Sequence, residues 1–361
     1  MTTDHHVRPV RIGCLGVAGT HTAARVRALR GLANAELCVA ADDDTAQQQY
    51  IRDLGLTAST PPEMLADPTI HAILVSSPTD RMADYGCRAL QAGKPVFVEK
   101  PGGQSLADLR KLRDVAAETG VLCQVGYSFR FSPVTRRLDA ALAGGELGRV
   151  LQVRIHGCVS NGRAARPPMN WPGDMGGAVF VIGSHMLDLL VHHFGLPQTV
   201  NARIPKFGTL MGTGSREDAG VAILLYRDMI ASFDFSAWDP APWMESWEIS
   251  VYGTEGIVHA TPLPRSVRQY RAPRDSVPSG WTTWRESSFP LTWTNEREGR
   301  KTPNPDIHNL DFYEAELAAF VEAVRTGGPS PLPASEAHDV CVLLDAMFCS
   351  SSRNGEEVRL T

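Results

Sequence analysis

Short apolar runs alternate with helical stretches over the first third of the chain. The runs are nearly continuous in apolar residues and are bounded by turn residues, a pattern typical of strands buried on both faces. They span Arg8–Gly16, Ala35–Ala41, His71–Ser76, Pro95–Val98 and Val121–Val125. Helical periodicity between them predicts helices over 23–32, 45–54, 80–92 and 105–119. Strands that alternate with helices in this way indicate a doubly wound parallel sheet.

The pattern changes after about Gly126. Longer strands are predicted over 150–156, 219–226, 230–235 and 247–252, with turn signals at Arg227-Asp228 and Gly253–Gly256. They indicate an antiparallel sheet with one strong helix over Gly183–Phe194. The stretch from 261 to 306 is weakly patterned and is interpreted as loops and edge strands, and helices over 309–326 and 334–350 follow it.

These patterns predict a fold class of α/β + α+β with two domains. Residues 1–126 are predicted to form a Rossmann domain with a doubly wound parallel sheet. Residues 127–361 are predicted to form an α+β domain with an open, mostly antiparallel sheet, and its C-terminal helices are expected to pack back toward the Rossmann domain.

Composition narrows the possible classes of protein. Hydrophobic residues make up 43% and charged residues 21%, which excludes a disordered or fibrous chain. The 35 basic and 40 acidic residues give a net charge of −5, so we expect neither a nucleic-acid partner nor attraction to an anionic membrane. No apolar run approaches the length of a spanning helix, and the polar start, Met1–Pro9, is interpreted as a short disordered leader. Seven scattered cysteines without a C-x-x-C spacing indicate a reduced, cytoplasmic protein without a zinc site.

A glycine-containing loop follows the first predicted strand and opens a helix. A dinucleotide-binding loop needs backbone amides close to the pyrophosphate at the positive end of a helix. Against the G-x-G-x-x-G pattern, Gly16 matches, Ala18 replaces the second glycine and His21 replaces the third. The predicted cofactor-binding positions of this loop are Gly16, Ala18, Gly19, Thr20 and His21. The alternative is an ordinary turn between a strand and a helix.

An acidic run ends the second predicted strand. A carboxylate there, at Asp42 or Asp43, accepts hydrogen bonds from the adenosine ribose of NAD and repels the 2′-phosphate of NADP. No arginine follows at once in the sequence to bind that phosphate, so NAD is favoured over NADP. The alternative is a solvated acidic turn in which Asp44 or Thr45 caps the next helix.

Charged residues also follow the buried run that ends at Val98. The carboxyl ends of parallel strands face the ligand crevice of an open α/β sheet. Lys100, between Glu99 and Pro101, is therefore a candidate to bind a substrate oxygen that gains or loses a proton. The alternative is a surface lysine on a turn.

Together these residues resemble the glucose–fructose oxidoreductase / inositol dehydrogenase / rhizopine catabolism (Gfo/Idh/MocA) family of NAD(P)-dependent dehydrogenases. The resemblance runs through nearly the whole chain, and its most specific part is Gly93–Pro101. The other similar segments are Ala72–Pro78, Val125–Pro133, Gly253–Gly256 and Asp311–Phe320.

The resemblance implies a Rossmann domain followed by a domain for substrate binding and oligomerisation. The usual reaction of the family is hydride transfer between the nicotinamide and a hydroxyl or ketone of a sugar, cyclitol or related polyol. By the same resemblance, Lys100 would contact the reacting oxygen and the nicotinamide ribose, and Glu99 would hold the loop. Ser76, Ser77, Pro78 and Thr79 would lie beside the nicotinamide half of the cofactor. A homodimer or homotetramer is expected, because family members commonly associate through the open face of the C-terminal sheet.

His185 is the second candidate catalytic residue. Its side chain titrates near neutrality, so it suits a general base for alcohol oxidation or a general acid for ketone reduction. The family usually has an aspartate four residues earlier, where this chain has Val181. Met82 and Thr79 also replace the usual histidine and asparagine, so the departures lie around the cofactor and the chemistry. The alternative for His185 is a histidine satisfied within the core.

The substrate pocket is the least readable part of the sequence. Tyr127, Arg130, Trp171 and Asp188 are candidate substrate-binding residues together with Lys100 and His185. Indole faces suit the apolar face of a sugar ring, but the tryptophans are equally interpreted as core or interface residues. His192-His193 is not interpreted as a metal site, because adjacent positions on a helix point apart.

Three functions remain open from the sequence. The leading hypothesis is an NAD-dependent oxidoreductase that acts on a sugar-like or cyclitol-like substrate. In the second, NAD is recycled during an elimination, hydrolysis or epimerisation without net redox change. In the third, the chain binds the cofactor and has lost catalysis.

Overall fold

A computed structural model describes residues 9–19, 21–159, 177–210, 217–238, 247–262, 265–273, 279–286, 293–295, 300–302 and 311–360. The described chain divides into two compact units. Unit 1 comprises the described residues up to Ser128 and those of 311–338. Unit 2 comprises the described residues of 129–309 and those of 339–360.

The helices, in chain order, are Thr22–Gly31 (α1), Gln48–Asp53 (α2), Pro61–Ala66 (α3), Thr79–Gln91 (α4), Leu106–Thr119 (α5), Pro133–Ala143 (α6), Ser184–Phe194 (α7), Phe207–Leu210 (α8), Asp311–Thr326 (α9) and Ala334–Ser352 (α10). Short 3₁₀ turns cover Thr45–Gln47 and Ser128–Phe131, and a π-helical turn covers Val179–Gly183. Among the described residues, none of these helices has the length and apolar character needed to span a bilayer.

The strands of unit 1 are Val10–Leu15 (β1), Ala35–Ala41 (β2), Thr57–Ser59 (β3), Ala72–Val75 (β4), Val96–Glu99 (β5) and Cys123–Gly126 (β6). They form one parallel sheet in the order β3-β2-β1-β4-β5-β6. Every residue of β4, β5 and β6 is buried, as their continuous apolar runs predict. The doubly wound Rossmann sheet is confirmed.

Local signals account for the helix ends in unit 1. The Ser105 hydroxyl caps α5 by accepting from the Asp108 amide, and Gly120 ends it in the left-handed conformation with φ 65°. The sequence prediction missed β3 and α3. Thr60 and Glu63 form a reciprocal capping box with Pro61 in the first turn, and this signal was readable in the sequence.

The strands of unit 2 are Val150–Cys158 (β7), Thr199–Arg203 (β8), Ala219–Leu225 (β9), Ile230–Ser236 (β10), Glu248–Gly253 (β11), Gly256–Thr261 (β12), Ser266–Arg271 (β13), Gly280–Arg285 (β14), Trp293–Asn295 (β15), Arg300–Thr302 (β16) and Val358–Arg359 (β17). Nine form one sheet in the order β14-β13-β12-β11-β7-β10-β9-β8-β17, while β15 and β16 pair separately. All neighbours in the large sheet are antiparallel except β7 and β10, which confirms the mostly antiparallel prediction.

The expectation of one strong helix within the sheet region is incomplete. Unit 2 also contains α6, whose N-terminus has Ser132 as a cap and Pro133 in the first turn. Its buried residues Val134, Leu138 and Ala141 have the i, i+4, i+7 spacing of an amphipathic helix, so α6 was also readable in the sequence.

The two faces of the large sheet differ in exposure. Alternate residues of β9 and β10, such as Leu224 and Phe233, are buried. The opposite face exposes large apolar side chains at Val221, Ile223, Leu225, Ile230 and Trp281.

Candidate functional site

The loop after β1 has the backbone geometry that a dinucleotide site needs. Gly16 has φ 78°, and a Cβ there would lie 2.8 Å from the Ser77 Cβ and 2.9 Å from Cε2 of Tyr85. Its amide donates to the Ala41 carbonyl at 2.8 Å, and the Gly19 amide donates to the Ser76 carbonyl at 3.0 Å. The loop therefore brings its backbone close to the neighbouring strand ends, and only glycine fits at position 16. Ala18 is half-buried within this loop, and Thr20 lies outside the described residues.

His21, in place of the third glycine of the pattern, precedes α1 at its cap position. Its side chain does not cap the helix. Instead its Nδ1 lies 3.3 Å from a carboxylate oxygen of Glu99. The departure from the glycine pattern thus provides a side chain that links the dinucleotide loop to the end of β5.

Glu99 belongs to a buried charge network within unit 1. Nε of Arg25 donates to Oε1 of Glu99, and Nη1 of Arg25 donates to Oε2 of Glu316. The three side chains are 1%, 3% and 0% exposed, respectively. Burial alone would raise the pKa of Glu99, but the charge of Arg25 and the hydrogen bonds from His21 and Arg25 hold it well below its usual range. Glu99 is therefore a charged anchor for the turn that carries Lys100.

Arg25 is held by aromatic rings as well as by carboxylates. Its guanidinium lies 4.8 Å from the centre of the Phe97 ring and 4.2 Å from that of Tyr313. A Cβ at Gly126 would come within 2.8 Å of the Phe97 ring and 3.1 Å of the guanidinium, so the glycine makes room for this packing. Sequence reasoning missed both Arg25 and Glu316. The readable signal was an arginine among the apolar positions of α1.

Asp42 lies at the end of β2 with its carboxylate turned toward the backbone. Oδ2 accepts from the Val17 amide and Oδ1 from the Asp44 amide, both at 2.9 Å. Asp44, in turn, caps the following 3₁₀ turn by accepting from the Ala46 amide. The capping alternative therefore describes Asp44, whereas Asp42 joins the dinucleotide loop to the acidic run.

Two arginines of α4 lie beside this acidic run. Arg88 Nη1 is 2.7 Å from the exposed Asp43, and Arg81 Nη1 is 3.6 Å from Oδ1 of Asp42. No arginine follows Asp42 directly in the sequence, but the folded chain nevertheless places arginines beside both carboxylates. The helix that follows β4 supplies the cations instead.

The segment after β4 packs against the start of α1. The Ser76 hydroxyl lies 2.8 Å from the Thr22 hydroxyl, and Ser77 donates to the Pro78 carbonyl at 3.2 Å. Pro78 precedes α4 and the buried Thr79 begins it. The four predicted cofactor residues, 76 to 79, therefore lie next to the dinucleotide loop, at the same end of the parallel sheet.

Lys100 follows β5 directly and is joined to Pro101 by a cis peptide bond. Only 7% of the residue is exposed, so the interpretation as a surface lysine on a turn is wrong. A buried amine next to the anchored Glu99, at the carboxyl end of a parallel strand, has the placement expected of a group that binds a reacting oxygen.

His185 lies in the first turn of α7 within unit 2. Its ring stacks on Phe129 with centroids 4.7 Å apart, and Trp247 lies 6.4 Å away. Trp247 is fully buried and its indole N–H donates to the Cys158 carbonyl, so the core interpretation holds for this tryptophan. Trp171 and Trp243 lie outside the described residues.

The π-helical turn before α7 includes Val181, the position where the family usually has an aspartate. Hydrogen bonds in a π-helix span five residues, so the turn is wider than in an α-helix. Two residues four positions apart lie about one turn apart in a regular α-helix. Residue 181 and His185 are not related by that regular spacing, because residue 181 lies in the wider turn.

Arg130 and Asp188 bind each other. Nε and Nη2 of Arg130 reach the two carboxylate oxygens of Asp188 at 2.9 and 2.5 Å, and both residues are buried. Asp188 is therefore bonded to Arg130 within unit 2. Tyr127, the remaining substrate candidate, is buried beyond the end of β6.

The expectation that His192 and His193 point apart is wrong. The centres of the two rings lie 4.9 Å apart at the end of α7. A ring nitrogen of each histidine lies within 4.8 Å of the other and of a carboxylate oxygen of Asp139. Burial, together with the neighbouring His192 and Arg130, lowers the pKa of His193 to about 3. Arg130 Nη1 lies 3.1 Å from Nδ1 of His192, so a cation at this place would meet a guanidinium.

Comparison with known proteins gives two family matches and several relatives. Residues 9–127 match the model described as oxidoreductase family, NAD-binding Rossmann fold, and residues 135–259 match the GFO/IDH/MocA C-terminal domain. The chain is 28% identical to scyllo-inositol 2-dehydrogenase (NAD(+)) of Bacillus subtilis (strain 168) over 371 aligned positions, which cover 99% of this chain and 97% of that protein.

A second relative and two solved structures are similar over most of their length. Identity to myo-inositol 2-dehydrogenase of Thermotoga maritima is 24%, over 83% of each chain. A levoglucosan dehydrogenase complex with NADH and levoglucosan superposes with a TM-score of 0.82 at 19% identity, covering 98% of this chain and 99% of that one. An oxidoreductase domain protein from Kribbella flavida gives 0.84 at 21% identity, covering 98% and 100%. The predicted combination of folds is confirmed.

Proposed function

The chain belongs to the Gfo/Idh/MocA family of NAD-binding oxidoreductases, and we propose that it transfers a hydride between NAD(H) and a hydroxyl or ketone of a sugar, cyclitol or related polyol. The observation that carries the proposal is the buried Lys100 at the carboxyl end of β5, next to the anchored Glu99. The named activities of the B. subtilis and T. maritima relatives support the substrate class.

The residues around the loop after β1 fit a dinucleotide. Gly16 lets the loop pass close against Ser77 and Tyr85, where a Cβ would clash, and the N-terminus of α1 follows directly and offers its backbone amides to a pyrophosphate. Asp42 and Asp43 would hold the adenosine ribose, and Ser76 to Thr79 would lie along the nicotinamide half. When bound, NAD⁺ would accept the hydride in oxidation and NADH would supply it in reduction, and NAD(H) is favoured over NADP(H) because of the two carboxylates.

Lys100 and His185 are proposed to handle the proton that accompanies hydride transfer. The Lys100 ammonium would donate a hydrogen bond to the reacting oxygen and stabilise negative charge on it. His185 would take the hydroxyl proton in the direction of oxidation and return it in the direction of reduction. Stacking on Phe129 limits the tilt of the imidazole plane, which helps to hold the ring for proton transfer.

A second candidate function is suggested by Val181, which stands where the family usually has an aspartate. Without that carboxylate, a reaction with internal recycling of NAD, by elimination, hydrolysis or epimerisation, is the alternative. Product mass separates the two, because net oxidation or reduction changes the substrate by two hydrogens. Recycling leaves the mass unchanged or shifts it by one water.

Turnover by Lys100 and His185 variants tests the proposal. Sugars and cyclitols are screened with NAD and NADH, and the substrate found is used with Lys100→Met and His185→Gln. We expect each substitution to lower kcat by about 10²-fold or more, because it removes a proton-handling group, while NADH binding to Lys100→Met changes less than about threefold. Lys111→Met, an exposed lysine on α5, is the matched control. Turnover of Lys100→Met within twofold of the unmodified chain would contradict the assignment. Nucleotide binding without turnover of any substrate would favour a chain that has lost catalysis.

We also propose that the chain forms a homodimer or homotetramer through the exposed face of the large sheet. Val221, Ile223 and Leu225 of β9 and Ile230 of β10 are each more than 40% exposed and adjoin one another on that face. A contiguous apolar patch of this kind is uncommon on a monomer in water.

A further inference from the structure

The surroundings of Asp42 contain a cation that the sequence pattern does not reveal. Arg81, in the first turn of α4, places Nη1 3.6 Å from Oδ1 of Asp42. Its side chain is 46% exposed, whereas that of Asp42 is 2% exposed. A carboxylate at the end of the second strand of a Rossmann fold marks the position of the adenosine 2′-hydroxyl. The guanidinium therefore lies beside the carboxylate at which the 2′-hydroxyl of NAD, or the 2′-phosphate of NADP, is expected.

Tyr85 holds Arg81 in this position. The two residues are one turn apart on the same face of α4, and Arg81 donates a hydrogen bond to the Tyr85 hydroxyl. That hydroxyl also donates to Oδ1 of Asp42 at 3.4 Å and accepts from the Asp43 amide at 3.2 Å. The Tyr85 ring lies against Gly16, so the same side chain contacts the dinucleotide loop and orients the arginine.

The two arginines of α4 differ in how firmly a carboxylate holds them. Arg88 forms a direct 2.7 Å ion pair with Asp43, lies 3.8 Å from Asp84 and packs over the Tyr85 ring. The contact of Arg81 with Asp42 is 3.6 Å, longer than a direct charge-assisted hydrogen bond. Both Asp42 oxygens are already occupied by backbone amides. Arg81 therefore lies beside the carboxylate with its exposed donors directed by Tyr85.

We propose that Arg81 is a receptor for the 2′-phosphate of NADP(H), and that the negative charge of Asp42 is what opposes binding of that phosphate. The proposal rests on the proposed function, since it assigns a specificity-determining role at the same nucleotide site. Its consequence is that a change of charge at either Asp42 or Arg81 shifts the choice of cofactor. Removal of the acid then admits NADPH, and removal of the base makes the preference for NADH stricter.

A cycle of four proteins tests the proposal: the unmodified chain, Asp42→Asn, Arg81→Gln and the double variant. Fluorescence titration with NADH and NADPH gives the Kd of each. We expect the unmodified chain to bind NADH about tenfold tighter than NADPH. Asp42→Asn should bring the two Kd values to within about threefold, because it removes the repulsion of the phosphate. Arg81→Gln should weaken NADPH binding by about tenfold in either background while NADH changes less than threefold, because NADH lacks the phosphate.

The controls separate this proposal from the function on which it rests. Lys111→Gln makes the same charge change on a neighbouring helix and should leave the ratio of the two Kd values within twofold. Arg81→Gln alone remains decisive if Asp42→Asn disturbs the loop, because Arg81 is at the surface. Equal effects of Arg81→Gln on NADH and NADPH would overturn the proposal. Binding of neither nucleotide by the unmodified chain would instead refute the proposed function.

Discussion

Replacing Arg25 with methionine tests whether the buried charge network stabilises unit 1. Methionine keeps much of the volume and the contact with the rings of Phe97 and Tyr313, but it removes the cation between Glu99 and Glu316. Two carboxylates that are 3% and 0% exposed then lose the arginine that joins them, while Glu99 keeps its contact with His21. Breaking a buried ion pair by removal of one member costs about 3–5 kcal/mol, so we expect a loss of that size in the free energy of unfolding.

The pH dependence gives the prediction its sign. In the unmodified chain the pKa of Glu99 is lowered on folding, so its contribution is present above the unfolded value of about 4.3 and is lost as the pH falls toward the folded value. In Arg25→Met, burial acts on Glu99 without the arginine and raises its pKa relative to that in the unmodified chain. Protonation then removes the buried negative charge from the variant. Its loss in the free energy of unfolding, relative to the unmodified chain, should therefore be smaller at about pH 5 than at about pH 7.5.

Urea unfolding at the two pH values measures both effects. The tryptophans that the structure describes all belong to unit 2, so tryptophan fluorescence reports that unit while far-UV circular dichroism reports both. The loss should appear in the dichroism transition. Arg27→Met, an exposed position on the same helix, is the control and should change stability by less than about 0.5 kcal/mol. A loss below about 1 kcal/mol, or an equal loss at both pH values, would refute the reasoning.

Two further substitutions test the loop and the exposed face of the sheet. Gly16→Ala places a Cβ 2.8 Å from that of Ser77 at φ 78° and should weaken NADH binding at least about tenfold by fluorescence titration. Gly93→Ala, at φ 72° with open space around it, should leave binding unchanged, and equal effects of the two would contradict the steric argument. Ile223→Lys adds a charge at a side chain that is 51% exposed and should shift size-exclusion chromatography toward a monomer while the dichroism spectrum stays the same. An unchanged elution volume would count against this interface.

The fold was readable from the sequence because the strands of unit 1 are apolar throughout and the helix ends have local signals. Gly120 is one such signal, and the helix predicted over 105–119 ends directly before it, as α5 does. The short β3 was missed, since three residues of which two are exposed give no hydrophobic pattern. Thr60 and Glu63 were a missed opportunity, since their capping box is entirely local.

The site was readable only where its chemistry lies within one segment. Glu99 and Lys100 stand together after a strand, whereas the partners of Glu99 come from α1 and from Glu316, which is 291 residues away from Arg25. Arg130 and Asp188 were each predicted to bind a substrate, and their pairing with each other was not foreseen. Pairings of this kind depend on which helices pack together, and neither periodicity nor composition encodes that choice.

The position of Glu316 in unit 1 has a consequence for synthesis of the chain on the ribosome. Arg25 precedes Glu316 by 291 residues, which at roughly 5–20 residues per second corresponds to about 15 to 60 s of translation. During that interval the emerging N-terminal unit has Glu99 as a partner for the arginine but lacks both α9 and the second carboxylate. Because α9 packs against α1, the first unit to leave the ribosome is completed only after strands β7 to β16 of the second have been made. The nascent chain therefore passes through a long period in which the surface later covered by α9 is open to chaperones.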